Sequence, residues 1–195
     1  GASEDIFAES PIAKLSMALS PDGTKIAIGS FGRVIRIYNF NTKRITALLI
    51  GHAGGVRSVA WSPNGRQLTS GSADRTIKIW NVETNRCIKT LTGNADAIFS
   101  VVWNHDGTQL VSGSRDGCIK IWDTSTGTCT KIIEMPTHIW SVTLDKEGKF
   151  ILAGIHNGTI GVINKETEAR SLVKNHDRAI FAATISHNNT LYAAS

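Results

Sequence analysis

The sequence predicts an all-β chain: a β-propeller of four-stranded antiparallel blades, about four full blades plus a partial fifth. Three observations predict it. A unit of about 40–45 residues recurs, short segments alternate apolar with polar residues, and Gly, Pro, Asn and Asp punctuate those segments at fixed places.

The period is the strongest of the three. A turn tetrapeptide recurs as Ser20-Pro21-Asp22-Gly23, Ser62-Pro63-Asn64-Gly65, Asn104-His105-Asp106-Gly107 and Asp145-Lys146-Glu147-Gly148, with a weaker form at Ser186-His187-Asn188-Asn189. The last residues of these turns lie 42, 42, 41 and 41 positions apart. An aromatic or apolar residue followed by Asn or Asp keeps the same step at Tyr38-Asn39, Trp80-Asn81, Trp122-Asp123 and Ile163-Asn164. Residues 51–92 and 93–134 align without a gap and share 19 of 42 positions. Self-similarity this regular marks copies of one supersecondary unit.

Each unit reads as four strands. In the second, Val56–Trp61 is followed by a turn at Pro63-Asn64-Gly65, and Gln67–Ser72 makes the next strand. A tight turn at Ala73-Asp74-Arg75 leads to a third strand, Thr76–Asn81, and Glu83-Thr84-Asn85 turns into a fourth, Cys87–Leu91. Alternation with period two and enrichment in Ile, Val, Thr and Trp favour strands over helices. Such a sheet has two apolar faces and cannot bury both alone. Radial stacking gives each face a neighbour.

With Gly51-His52, Ser70–Asn81 and Ser112–Asp123 ending in Trp122-Asp123, the chain resembles the WD-repeat family over residues 12–195. The repeats run approximately 12–50, 51–92, 93–133, 134–174 and an incomplete 175–195. The resemblance implies a buried hydrogen-bonded network of His52, Ser70, Asp74 and Trp80. It implies a partial copy at Ser112, Asp116 and Trp122, with Asn94 replacing the His. Repeats one, four and five are degenerate: Gly32 and Asn157 stand at the Asp position, and Met135 and His176 at the His position. Ser, His and Asp together invite a hydrolase reading. A catalytic triad does not recur blade by blade, however, and no nucleophile elbow surrounds Ser70. No catalytic residue is expected.

Composition narrows the function classes. Formal net charge is +5, with 12 basic and 3 acidic groups in residues 10–93 against 9 basic and 10 acidic in residues 94–195. Lys14, Arg33, Arg36, Arg57, Arg66, Arg75 and Arg86 are dispersed, which reads first as a solvated face and second as a patch for nucleic acid or an acidic partner. Three cysteines without metal-ligand spacing, and six His without an HExxH pattern, argue against a disulfide framework, a metal or a cofactor. Gly29–Val34 lacks the Lys and the following helix of a phosphate loop. No apolar run approaches the ~18 residues of a membrane span. Residues 1–11 are acidic without an apolar centre, and read as an N-terminal extension or cloning scar rather than a leader. A cytoplasmic or nuclear protein without a membrane partner is expected.

Function is expected at one mouth of the central channel, where each innermost strand begins. The equivalent positions there are Leu15, Arg57, Phe99, Trp140 and Phe181, preceded two residues earlier by Ala13, Gly55, Ala97, His138 and Ala179. The tight turns add Phe31, Ala73, Arg115 and His156. Simple alternation puts Phe99 on one strand face with Val101 and Trp103. Phe31, Arg57, Phe99, Arg115, His138, Trp140, His156 and Phe181 are the candidate rim, because aromatic residues and Arg dominate interface energies. The expected function is a non-enzymatic scaffold that binds a protein or peptide there; the alternative is nucleic-acid or acidic-partner binding through the first two repeats.

Counting from Ile12 leaves two strands of a fifth blade, Ile180–Ile185 and Leu191–Ser195. Three ways to complete the ring follow: further blades of a longer chain, self-association, or a closing strand near Ile6-Phe7.

Overall fold

The structure, a computed structural model, describes residues 14–174, 177–185 and 191–194, with backbone alone at 14, 15, 185 and 191–194. The expectations placed on residues 1–13, including the Ile6-Phe7 closing strand, on His176 and on the turn at 186–189 lie outside the described residues.

All of the described regular structure is strand, in antiparallel sheets that follow chain order. Blade one holds β1 (Lys14–Leu19), β2 (Lys25–Ser30), β3 (Val34–Asn39) and β4 (Ile45–Ile50). Blade two holds β5 (Val56–Trp61), β6 (Gln67–Ser72), β7 (Ile77–Asn81) and β8 (Arg86–Leu91). Blade three holds β9 (Ile98–Trp103), β10 (Gln109–Ser114), β11 (Cys118–Asp123) and β12 (Cys129–Glu134). Blade four holds β13 (Ile139–Leu144), β14 (Phe150–Ile155), β15 (Thr159–Asn164) and β16 (Arg170–Lys174). A two-stranded fifth sheet pairs β17 (Ala182–Ile185) with β18 (Leu191–Ala194).

Three boundaries differ from the sequence reading; β8 begins one residue earlier, at Arg86, which pairs with Asn81. Thr76 closes the tight turn instead of opening β7, because its N–H and hydroxyl both donate to the Asp74 carboxylate. Ile180 precedes β17, and its N–H donates to the Ile155 carbonyl of blade four at 3.2 Å. The turn glycines recur for a backbone reason. Gly23, Gly65, Gly107 and Gly148 have φ of 70°, 69°, 77° and 69°, the left-handed region where a Cβ is costly.

Blades join through their first strands: β1, β5, β9, β13 and β17 lie successively against one another. The core therefore sits between blades. Ile77, Ile79 and Leu91 of blade two pack with Ile98, Val101, Trp103, Leu110 and Trp122 of blade three. Close approach needs a residue without a side chain on each second strand. A Cβ on Gly71 would lie 2.6 Å from Ile98 Cγ2, and one on Gly113 the same distance from Ile139 Cγ2.

A polar strap crosses each boundary as well. Ser16, Ser58, Ser100 and Ser141 accept the backbone N–H of Val59, Val101, Val142 and Ala183 at 3.1, 3.1, 3.0 and 3.0 Å. The Trp61 and Trp103 indoles add N–H bonds to the Ala18 and Ala60 carbonyls of the preceding blade.

Candidate functional site

The mouth of the channel is built by a repeated irregularity. In β1, β5, β9 and β13 the pairing with the second strand slips by one residue, between Lys14 and Ser16, Val56 and Ser58, Ile98 and Ser100, and Ile139 and Ser141. The extra residue of each bulge is Leu15, Arg57, Phe99 or Trp140. A bulged residue leaves the ladder and its side chain is re-aimed. Simple alternation therefore fails for Phe99. Ile98 and Val101 share the face that meets Gly71, while Phe99 turns away from Val101 and Trp103 toward the mouth.

Arg57, Phe99, Trp140 and Phe181 converge on a cavity of about 270 Å³. The Arg57 guanidinium carbon sits 5.0 Å from the Phe99 ring centre and 5.6 Å from that of Phe31. Phe99 and Trp140 stack at 4.3 Å with planes 5° apart, and Phe181 meets Trp140 edge-on at 5.1 Å. The Trp140 indole N–H donates to His156 Nδ1 at 3.0 Å, and the His138 ring lies 5.3 Å from that of His156. His138 Nδ1 in turn bonds the Arg115 carbonyl at 2.6 Å. The Arg115 side chain stands apart from the cavity, with Nε 3.8 Å from Asp96. Backbone bonds hold the rim's two rows together: Ala73, Arg115 and His156 donate N–H to the Gly55, Ala97 and His138 carbonyls.

Below the rim lies the polar network of blade two. Trp80 N–H donates to Ser70 Oγ at 2.8 Å, Ser70 Oγ lies 2.8 Å from His52 Nε2, and His52 Nδ1 lies 2.7 Å from Asp74 Oδ2. The Asp74 carboxylate also accepts the Ala53 and Thr76 backbone N–H groups, and its side chain keeps 11 % exposure instead of full burial. Desolvation pushes His52 below 6.5, against the upward pull of Asp74. Desolvation pushes Asp74 up, but hydrogen bonds from Thr76 and His52 outweigh it and hold the carboxyl at about 2. The proton pattern is then fixed: a neutral His52 donates from Nδ1 to ionised Asp74 and accepts the Ser70 hydroxyl at Nε2.

Blade three departs from the expected partial copy. Trp122 N–H donates to Ser112 at 2.9 Å, and Asp116 accepts the Ala95 and Cys118 backbone N–H groups. Asn94 does not join these halves. It is too short to span them, and its amide turns to the Arg75 carbonyl at 3.5 Å. Blade four replaces the set coherently. Met135, Ala153 and Ile163 stand in the places of His52, Ser70 and Trp80, all within one apolar cluster, and among the described residues Asn157 accepts only the Thr159 N–H. Exchanging the His, Ser and Trp together for apolar groups avoids the cost of orphaning one of them.

The sequence reading missed the strap serines, although Ser16, Ser58, Ser100 and Ser141 carry the repeat spacing themselves. It also missed the bulge, which shows as apolar pairs three apart instead of two: Val56/Val59, Ile98/Val101 and Ile139/Val142.

Four-stranded blades in chain order, joined through their first strands, with a His–Ser–Asp–Trp network in one of them, define a WD-repeat β-propeller. A family model described as the IFT122 first beta-propeller matches residues 13–195, and the chain belongs to that family. Comparison with curated proteins finds no match.

Proposed function

We propose that the chain is a non-enzymatic interaction platform that docks a protein or peptide on the channel rim. The observation that supports this is the continuous run Phe31–Arg57–Phe99–Trp140–Phe181, which places one Arg and four aromatic rings at a concave mouth. Aromatic and Arg anchors in a pocket are the usual carriers of binding energy. Membership of a propeller family agrees with a scaffold role.

The Ser70–His52–Asp74 distances match those of a hydrolase triad, yet Ser70 has no exposure and its oxygen also accepts the Trp80 indole N–H. No substrate carbon can reach it, so the set is read as structural. Among the described residues no group of three His, Cys, Asp or Glu could hold a metal. No described helix is long and apolar enough to cross a membrane. Free thiols at Cys87, Cys118 and Cys129 agree with a reducing compartment, cytoplasm or nucleus.

The basic first half gives weaker support to nucleic-acid binding. Arg33 and Arg75 lie in turns at the rim end, while Arg66 and Arg86 lie at the opposite end of their blades, so the charge is split between two ends. Partners that cover blade one, either further blades of a longer chain or a second copy, belong to the same proposal.

Capture of partners from cell extract by wild type, Trp140→Ala and Arg57→Glu tests the rim. The expected result is loss of partner in both variants with the fold retained by circular dichroism, since both side chains stand at the mouth and are only partly buried. Retained capture in both would overturn the rim reading.

A further inference from the structure

We propose that the rim cavity is a receptor for a carboxylate carried beside an apolar side chain of a peptide partner. This deepens the rim reading and rests on it. The cavity wall holds one cation and three aromatic rings, with no acid among its described residues. Arg57 makes no ion pair among the described residues, and its Nε is enclosed without a hydrogen-bond partner. Buried N–H donors are nearly always paired, and this cation lines the cavity without an acidic partner among the lining residues.

Asp177, four residues before Phe181, is exposed and does not line the cavity, and the acids of the other surrounding loops are engaged. Asp74 takes His52, Ala53 and Thr76, Asp116 takes the N–H groups of Ala95 and Cys118, and Asp96 faces Arg115. Arg115, His138 and His156 bring further positive or neutral groups to the rim and no negative one. Charge complementarity therefore selects an anion.

Phe31 and Phe99 flank the guanidinium, and apolar ring surface beside it strengthens its attraction for a charge entering the mouth. A single guanidinium balances a single negative charge and matches the planar carboxylate. A phosphate dianion would leave one charge buried and uncompensated. The Phe99–Trp140–Phe181 wall offers only ring faces and edges, which suit an aromatic or branched aliphatic neighbour. The volume of about 270 Å³ equals roughly nine waters, enough for one large side chain and a carboxylate.

The test is selection from a display library of random dodecapeptides on wild type, Arg57→Gln and Trp140→Ala, each checked by near-ultraviolet circular dichroism. Wild type should enrich peptides with Asp, Glu or a free C-terminal carboxylate beside an aromatic or branched residue. Changing that acid to its amide should weaken binding about tenfold in wild type and hardly at all in Arg57→Gln, the non-additivity expected of a direct pair. The amide swap leaves the protein untouched, so it separates pairing from misfolding. Enriched peptides without an acid, or an amide form that binds wild type equally well, would overturn the carboxylate assignment and leave the rim reading standing. No enrichment above the Trp140→Ala background would overturn both.

Discussion

Ser58 of blade two accepts the backbone N–H of Val101 in blade three at 3.1 Å, and Val101 is buried. The bond is thus a link between blades and not within one. Removing the hydroxyl leaves a buried N–H without a partner, which costs about 1–3 kcal/mol. Ser58→Ala should lower the unfolding free energy by that amount, read from urea titration. Ser125→Ala, which removes an exposed hydroxyl bonded to Asp123, should change it by less than about 0.5 kcal/mol. Equal effects would show that the strap is not a stabilising contact.

Asp74 is the acceptor on which the blade-two network ends. Asp74→Ala leaves His52 Nδ1 and the Ala53 and Thr76 N–H groups short of an acceptor, and should destabilise by roughly 2–4 kcal/mol. Asn157→Ala should cost less, because Asn157 holds a single backbone N–H in a blade whose other network places are apolar. Urea titrations of the two variants decide it; a larger loss at Asn157 would reverse the ranking.

The same network predicts the acid limb of stability. Folded His52 is neutral, with its protonation pushed below 6.5 by desolvation. Below that pH the unfolded chain takes up a proton that the folded chain refuses, so stability falls as pH drops from 6.5 through the lowered folded value. Asp74 adds a second loss of the same sign. Its carboxyl titrates at about 2 when folded against 3.8 otherwise, so roughly 2 kcal/mol present above pH 4 disappears toward pH 2. His52→Asn should flatten the profile just below pH 6.5. Parallel profiles for wild type and variant, from chemical denaturation at each pH, would clear His52 of the effect.

The blades were legible because Gly23, Gly65, Gly107 and Gly148 fix the turns, and the strands between them alternate apart from single irregularities. The grouping of Arg57, Phe99, Trp140 and Phe181 at one cavity was legible too, since equivalent positions of successive repeats come together. Phe99's facing was not, because alternation carries no record of an extra residue and the bulge reverses everything before it. Asn94 misled for a different reason: it shares polarity with His52 but not reach. The Arg57 pairing with Phe31 and Phe99 depends on three blades at once, which no single repeat contains.

The exposed face of blade one sets the last prediction. Met17 and Leu19 are 61 % and 56 % exposed, whereas Val59 and Trp61, at the same places in blade two, are 5 % and 8 % exposed. Leu48, Ile50 and Phe40 are exposed in the same blade, so these are not scattered single residues. Full burial of each such side chain is worth about 1.5–3 kcal/mol. Exposed apolar side chains clustered at the place where the next blade packs in blade two mark an interaction surface or an aggregation site. The chain in isolation should therefore self-associate, its mass by size-exclusion light scattering rising above the monomer value with concentration. Leu19→Lys with Met17→Lys should restore the monomer, because a charge on this face must be desolvated to pair. A wild-type chain that stays monomeric at every concentration would show that the face is covered within the chain itself.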